Sequence, residues 1–252
     1  MRTVHTGPLG GLLGQLAVLA VLAATVGLSG AGWAAGFACG LVTWLGLARG
    51  LAHAGRRGLS PADKVTLTRA TLVGGVAALV VDSLTGDVPA TSPVPGLVAL
   101  CVVALVLDAV DGRVARRTGT VSPLGAAFDM EVDAFLILVL SGYVAASVGP
   151  WVLAIGFARY ALFVAGWLLP WLRQTVPPRY WRKVVAATQG IVLTAAAADV
   201  LPAALVVCAL AAALALLTES FGRDVCWLWG HRRTAPELYV VPVRRPERVA
   251  HG

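Results

Sequence analysis

Long apolar runs separated by short polar stretches constrain this chain more than any other feature of its sequence. Eight runs reach or approach the roughly 20 apolar residues that a helix needs to cross a bilayer. These runs cover residues 9–29, 32–51, 65–82, 95–111, 124–146, 150–171, 183–199 and 201–219. Charged residues make up 13% of the 252 positions, whereas a soluble domain carries about a quarter. The sequence therefore predicts an all-α, polytopic integral membrane protein.

The distribution of basic residues predicts the orientation of these helices. Arginine and lysine cluster in the segments 49–64, 113–117, 173–183 and 223–248. The alternating loops, including the longest at 83–94, contain neither residue. Because basic loops stay on the cytoplasmic side, we expect both termini and the 112–122 loop in the cytoplasm. The net charge of +7 is thereby explained without nucleic acid, for which a basic stripe with interleaved aromatic residues is missing.

Composition also suggests where the protein resides. Arginine greatly outnumbers lysine, and alanine, glycine and valine are abundant, which is typical of a GC-rich bacterial genome. We therefore expect a multi-pass protein of the bacterial cell (plasma) membrane, in contact with membrane lipid.

Four aspartates flank the loop between the fourth and fifth apolar runs. Asp108 and Asp111 lie three residues apart, and Asp129 and Asp133 lie four apart, so each pair shares one helix face. Carboxylates gathered at membrane depth repel one another unless they are protonated or bridged by cations. Oxygen ligands suit Mg²⁺, Mn²⁺ or Ca²⁺. The pattern predicts two divalent ions that assist a phosphoryl displacement.

Small and basic residues accompany the aspartates. Gly112 and Gly125 have no Cβ, so backbone or ligand can approach closely beside the carboxylates. Arg116 offers a planar fork of donors that suits a phosphate group.

The segment resembles the signature of the CDP-alcohol phosphotransferases, D-x-x-D-G-x-x-A-R-x8-G-x3-D-x3-D. All eight fixed positions match, namely Asp108, Asp111, Gly112, Ala115, Arg116, Gly125, Asp129 and Asp133. A run upstream is similar to the family's P-N-x-x-T-x-x-R. It keeps Thr66 and Arg69 but has Ala62 and Asp63 in place of proline and asparagine.

The resemblance implies roles for these residues. Asp108, Asp111 and Asp129 are expected to bind Mg²⁺ or Mn²⁺, and Asp133 is expected to act as general base, with a fourth-ligand role left open. Contacts to the CDP moiety are expected from Thr66, Gly112, Ala115, Arg116 and Gly125. The implied organisation is a two-span extension at 1–58, a six-helix core at 59–225 and a cytoplasmic tail at 226–252. A homodimer is also suggested.

The implied activity is transfer of a phosphatidyl group from a CDP-alcohol to a polar alcohol acceptor, with release of CMP. The expected donor is CDP-diacylglycerol, and the reaction would belong to phospholipid biosynthesis. Within the same class, the donor could instead be a soluble CDP-alcohol, or the product a phosphodiester other than a phospholipid. From another class, a divalent-cation transporter lined by the same carboxylates is the alternative, although a cation pathway has no need of the Gly-x-x-Ala-Arg turn.

Four basic residues are candidate contacts for a phosphorylated acceptor. They are Arg159, Arg179, Arg182 and Lys183. Arg159 lies deep within an apolar run, where a charge should face a polar cavity or an ion-pair partner. An anionic acceptor would be favoured by clustered guanidinium groups.

Overall fold

The computed structural model describes residues 6–56, 58–86, 94–118, 122–174, 176–177 and 180–232. Its helices are α1 (Thr6–Thr25), α2 (Gly30–His53), α3 (Pro61–Thr85), α4 (Val94–Thr118), α5 (Pro123–Val148), α6 (Leu153–Leu168), α7 (Tyr180–Ala197) and α8 (Ala203–His231). Short 3₁₀ turns at Pro150–Val152 and Pro170–Arg173 flank α6. Each of the eight apolar runs coincides with one of these helices, and the described residues contain no strand. The predicted all-α membrane fold is therefore confirmed.

Six helical segments are long and apolar enough to cross a membrane, by length and composition, and one of them is α6 together with the 3₁₀ turn that precedes it, Pro150–Leu168. α4 contributes a shorter apolar segment, Pro95–Val110, because charged residues occupy its final turns. α7 has 18 residues and begins with Arg182 and Lys183 in its first turn. These two helices combine apolar length with charge, as expected of segments that line a polar site.

Helix α3 is the centre of the bundle. It contacts α1, α2, α4 and α5, and most of its side chains are buried, including Arg69 and Asp82. The two N-terminal helices therefore pack directly against the first helix of the predicted core. α8 continues to His231, past the predicted end of that core at residue 225.

Small residues allow α2 to approach its neighbours closely. Gly32, Gly36 and Gly40 recur every four residues and are buried, so they form one face of the helix. A Cβ on Gly40 would lie 2.8 Å from Cγ of Gln15 on α1. Close backbone contact of this kind is a main source of helix association in lipid, where no hydrophobic driving force acts between helices.

Two Ser-Pro pairs mark helix starts. Ser60 precedes Pro61 and accepts a hydrogen bond from the backbone of Asp63, whose carboxylate accepts one from the backbone of Ser60. Ser122 precedes Pro123 and caps α5 by accepting from the backbone N–H of Gly125 at 3.0 Å. These caps satisfy N–H groups that the helices leave unpaired.

Long-range polar contacts at the two ends of α3 set the arrangement of its neighbours. At its C-terminal end, the buried carboxylate of Asp82 accepts from the backbone N–H groups of Ser29 and Gly32, at 3.1 Å each, and so caps α2. At its N-terminal end, Arg56 pairs with Asp63 at 3.0 Å and donates to Ser122 Oγ at 3.3 Å. The end of α2 and the starts of α3 and α5 therefore meet at one end of the bundle.

Candidate active site

Three aspartates converge where α4 ends and α5 begins. One carboxylate oxygen from each of Asp108, Asp129 and Asp133 lies within 4.8 Å of the other two. This is the single such group of His, Cys, Asp and Glu within the described ranges. Their side chains remain 36–40% exposed, so they line an opening rather than the packed interior. The structure thus brings three of the four signature aspartates together.

The donor set fits a hard divalent cation. Each residue of the cluster offers a carboxylate oxygen, and neither a thiolate nor an imidazole takes part. Oxygen ligands at this mutual spacing suit Mg²⁺, Mn²⁺ or Ca²⁺ better than zinc. The remaining predicted ligand, Asp111, belongs to α4, but its side chain lies outside the described residues.

Arg69 is the residue that the sequence reasoning did not assign to the site. It projects from α3, is 1% exposed, and its Nη1 lies 2.5 Å from Asp108 Oδ1. Its Nη2 lies 2.8 Å from Asp129 Oδ1 and 2.9 Å from Asp133 Oδ1. One guanidinium therefore bridges carboxylates from α4 and α5. Two signals were available in the sequence. Arg69 matches the family's P-N-x-x-T-x-x-R run, and its charge lies within the third apolar run, where it needs acidic partners.

The charges of this cluster do not balance. Three carboxylates face one guanidinium, so their full ionisation would leave an excess of negative charge at the edge of the apolar region. Like charges at this separation disfavour joint ionisation unless a further cation is present. The described geometry therefore attracts cations even with Arg69 in place.

Two predicted CDP contacts lie on elements next to the cluster. Thr66 is buried on α3, one turn before Arg69, and its Oγ1 donates to the backbone oxygen of Ala62 at 3.3 Å. Gly125 lies in the first turn of α5, where a Cβ would come within 2.8 Å of Asp63 Oδ1. A glycine at this position therefore permits the close approach of α5 to α3.

The other predicted CDP contacts belong to α4. The backbone of Gly112 continues the helix beyond the first aspartate pair, and Gly112 is half-buried. The side chains of Ala115 and Arg116 lie outside the described residues. Their contribution to a nucleotide site therefore stays a prediction.

Two of the four candidate acceptor residues are paired with separate acids. Arg159 on α6 forms an ion pair with Glu131 on α5. The neighbouring helix therefore supplies the acidic partner that the charge of Arg159 requires. Arg182 on α7 pairs with Asp224 on α8 at 3.1 Å and also donates to the backbone oxygen of Pro177. Lys183 is exposed, and Arg179 lies outside the described residues. Their joint action on one acceptor stays a prediction.

Comparison with known families agrees with the sequence signature. The family model described as CDP-alcohol phosphatidyltransferase matches residues 59–217, which is more than half of the chain. The matched region begins before α3 and includes the aspartate cluster, Arg69 and α4 to α7. Comparison with curated proteins and with solved structures gave no match.

Proposed function

The chain belongs to the CDP-alcohol phosphatidyltransferase family, and from this premise we propose that it transfers a phosphatidyl group from CDP-diacylglycerol to a hydroxyl of a polar alcohol. CMP is the second product, and the reaction is a step of phospholipid biosynthesis. The observation that carries the proposal is the convergence of Asp108, Asp129 and Asp133 at one end of a membrane helix bundle.

The orientation of the site follows from the basic residues around it. Arg56 lies at the end of the bundle where α3 and α5 begin, and the last turns of α4 carry Arg113 and Arg117. Because basic segments remain in the cytoplasm, the aspartate cluster and both termini would lie on the cytoplasmic side of the cell membrane. A nucleotide-activated donor and a water-soluble acceptor would both reach the site from that side.

Asp108, Asp111 and Asp129 would hold two divalent ions, Mg²⁺ or Mn²⁺. Such ions, when bound, neutralise charge on the phosphate oxygens and increase the acidity of a nearby hydroxyl. The chain supplies acidic side chains from two helices whose relative position is set by packing on α3. Thr66, Gly112, Ala115, Arg116 and Gly125 would contact the CDP moiety.

Asp133 is the proposed general base. Its carboxylate takes the proton of the acceptor hydroxyl while the acceptor oxygen forms a bond to the phosphorus that carries the lipid. The bond from that phosphorus to the bridging oxygen breaks, and CMP leaves with the electron pair. Support comes from the position of Asp133 one helical turn beyond Asp129, where its carboxylate stays 36% exposed beside the other two.

A phosphorylated alcohol is the proposed acceptor. Arg159, Arg179, Arg182 and Lys183 would supply positive charge for its phosphate. Of these, Arg159 lies on α6 and pairs with Glu131, two positions from Asp129 and Asp133 along α5. An incoming phosphate would compete with Glu131 for this guanidinium.

The direct test of the activity is a product assay on the purified full chain in detergent. Labelled CDP-diacylglycerol is supplied with Mg²⁺ or Mn²⁺ and a panel of alcohols, and both CMP and the lipid product are identified. Release of CMP that depends on one alcohol supports the proposal. The proposal would be refuted if neither CMP nor a lipid product formed with any alcohol, whether the CDP-activated donor carried a lipid or a soluble alcohol.

Asp133→Asn separates the base from a fourth metal ligand. For a base, the substitution slows turnover about 10²–10⁴-fold, while Mn²⁺ affinity and donor binding stay near wild type. The measurement is activity and donor binding across a Mn²⁺ titration. Recovery of activity in excess Mn²⁺ would contradict the base assignment and favour the ligand role.

A further inference from the structure

The position of Arg69 in the aspartate cluster carries one inference beyond the proposed reaction. We propose that Arg69 is a placeholder cation, which holds the carboxylates together when no divalent ion is bound and competes with the ions for the same oxygens. The inference rests on the proposed metal site. It adds a residue whose charge sets how tightly that site binds metal.

The contact distances indicate competition between Arg69 and a bound ion. Two guanidinium nitrogens lie 2.5–2.9 Å from one oxygen each of Asp108, Asp129 and Asp133. Divalent ions bind carboxylate oxygens at about 2.0–2.6 Å, so an ion among these oxygens would fill the space that the nitrogens occupy. An ion on these oxygens would displace Arg69 from them, and an ion on the other oxygens of the same carboxylates would lie close to the guanidinium charge, so in both cases the two cations oppose each other's binding.

The surroundings of Arg69 suit it both when it contacts the carboxylates and when an ion does so. Its Nη2 also donates to the backbone oxygen of Asp129 at 3.0 Å, and that acceptor is not a carboxylate. The guanidinium therefore keeps one partner when the carboxylates turn toward an ion. Its Nε has no hydrogen-bond partner among the described residues, which leaves a donor available for an altered arrangement.

The same contacts indicate what Arg69 does for the three carboxylates. Without a cation, three carboxylates from α4 and α5 would repel one another at the edge of the apolar region. Arg69 is buried on the central helix and reaches both helices from there. It therefore holds the carboxylates of α4 and α5 together, and its positive charge opposes entry of a divalent ion.

Removal of the charge should have two opposite effects. Arg69→Gln is expected to tighten Mn²⁺ binding about tenfold or more, equivalent to about 1.4 kcal/mol, and to lower the melting temperature without metal. The rise in melting temperature on adding Mn²⁺ should then exceed that of wild type. If Arg69 only supported the fold, its substitution would lower the melting temperature without increasing the affinity for Mn²⁺.

The experiment measures Mn²⁺ binding to the detergent-solubilised full chain from the electron paramagnetic resonance signal of free Mn²⁺. Melting is followed with and without Mn²⁺. Arg223→Gln is the matched control, because it removes an arginine from an exposed ion pair with Glu219 on α8. Its Mn²⁺ affinity should stay within about twofold of wild type, since exposed charges are strongly screened.

Arg69→Lys keeps the experiment decisive if Arg69→Gln does not fold. A lysine retains the charge, but its single ammonium does not reproduce the guanidinium fork that contacts both helices. Its Mn²⁺ affinity should lie between those of wild type and Arg69→Gln. Unchanged or weaker Mn²⁺ binding in a folded variant would overturn the inference, whereas failure of wild type to bind Mn²⁺ would overturn the metal site itself, and the inference with it.

Discussion

Gly125→Ala tests whether the approach of α5 to α3 requires a glycine at the start of the candidate site. A Cβ at this position would lie 2.8 Å from Asp63 Oδ1 and 3.1 Å from Ser122 Oγ. Ordinary contact distances begin near 3.5 Å, so the carboxylate of Asp63 would have to move by at least about half an ångström. Asp63 is buried and has little room for such a shift.

The cost follows from the bonds that hold Asp63. Its Oδ2 accepts from the backbone N–H of Ser60 at 2.8 Å and pairs with Arg56 at 3.0 Å. A hydrogen bond to a charged group contributes about 1.5–3 kcal/mol, and the alanine returns at most about 1 kcal/mol in helix propensity. Partial loss of these bonds should therefore lower the free energy of unfolding by about 1–2 kcal/mol.

Gly142→Ala is the matched control, because Gly142 lies in the same helix and a Cβ there would meet nothing within 4 Å. Because alanine loses less conformational entropy on folding than glycine, this variant should be as stable as wild type or more stable by about 0.5–1 kcal/mol. Unfolding is measured in mixed micelles with increasing sodium dodecyl sulfate. Donor KM is measured in parallel, since Gly125 is also a predicted CDP contact.

A double-mutant cycle identifies the cause of any loss. Asp63→Ala removes the obstructing carboxylate, so Gly125→Ala should cost at least about 1 kcal/mol less in that background than in wild type. Equal costs in the two backgrounds would refute the steric argument. Equal stability of Gly125→Ala and Gly142→Ala would refute it as well.

Three further predictions concern the metal site, the topology and the acceptor. Asp108→Asn or Asp129→Asn should abolish activity and weaken Mn²⁺ binding while the protein still inserts, and full activity at low Mn²⁺ would exclude the assignment. In a chain without its four native cysteines, Thr118→Cys should resist an impermeant thiol reagent added outside the cell, and strong external labelling would contradict the orientation. Arg159→Ala and Lys183→Ala should each raise acceptor KM with little change in donor KM, and an unchanged acceptor KM in both would remove the proposed phosphate contacts.

Much of the fold was accessible from local sequence patterns. Each apolar run corresponds to one helix, because run length and hydropathy alone decide which segments can enter a bilayer. The caps at Ser60 and Ser122 were also predictable, since a capping side chain bonds to a backbone group only three residues away. The same local geometry placed Asp129 and Asp133 on one face of α5.

The contents of the candidate site depended more on tertiary structure. The signature indicated the carboxylates, but it did not indicate that Arg69 reaches across from α3 to bind them. The pairing of Arg159 with Glu131, and of Arg56 with Asp63, was likewise not specified by spacing. A charge within an apolar run indicates that it has an acidic partner. The sequence does not indicate which of the chain's acidic residues that partner is.

The sequence by itself determined the class of protein, its helices and the chemical character of the site, because these depend on composition and on periodicity within a helix. Tertiary structure decided which side of each helix meets its neighbour and therefore which charges pair. Helix rotation and crossing are set by the packing of many side chains along α3, including glycines that allow close approach. Contacts between residues 39 and 64 positions apart, as from Arg69 to Asp108 and Asp133, arise only from that packing.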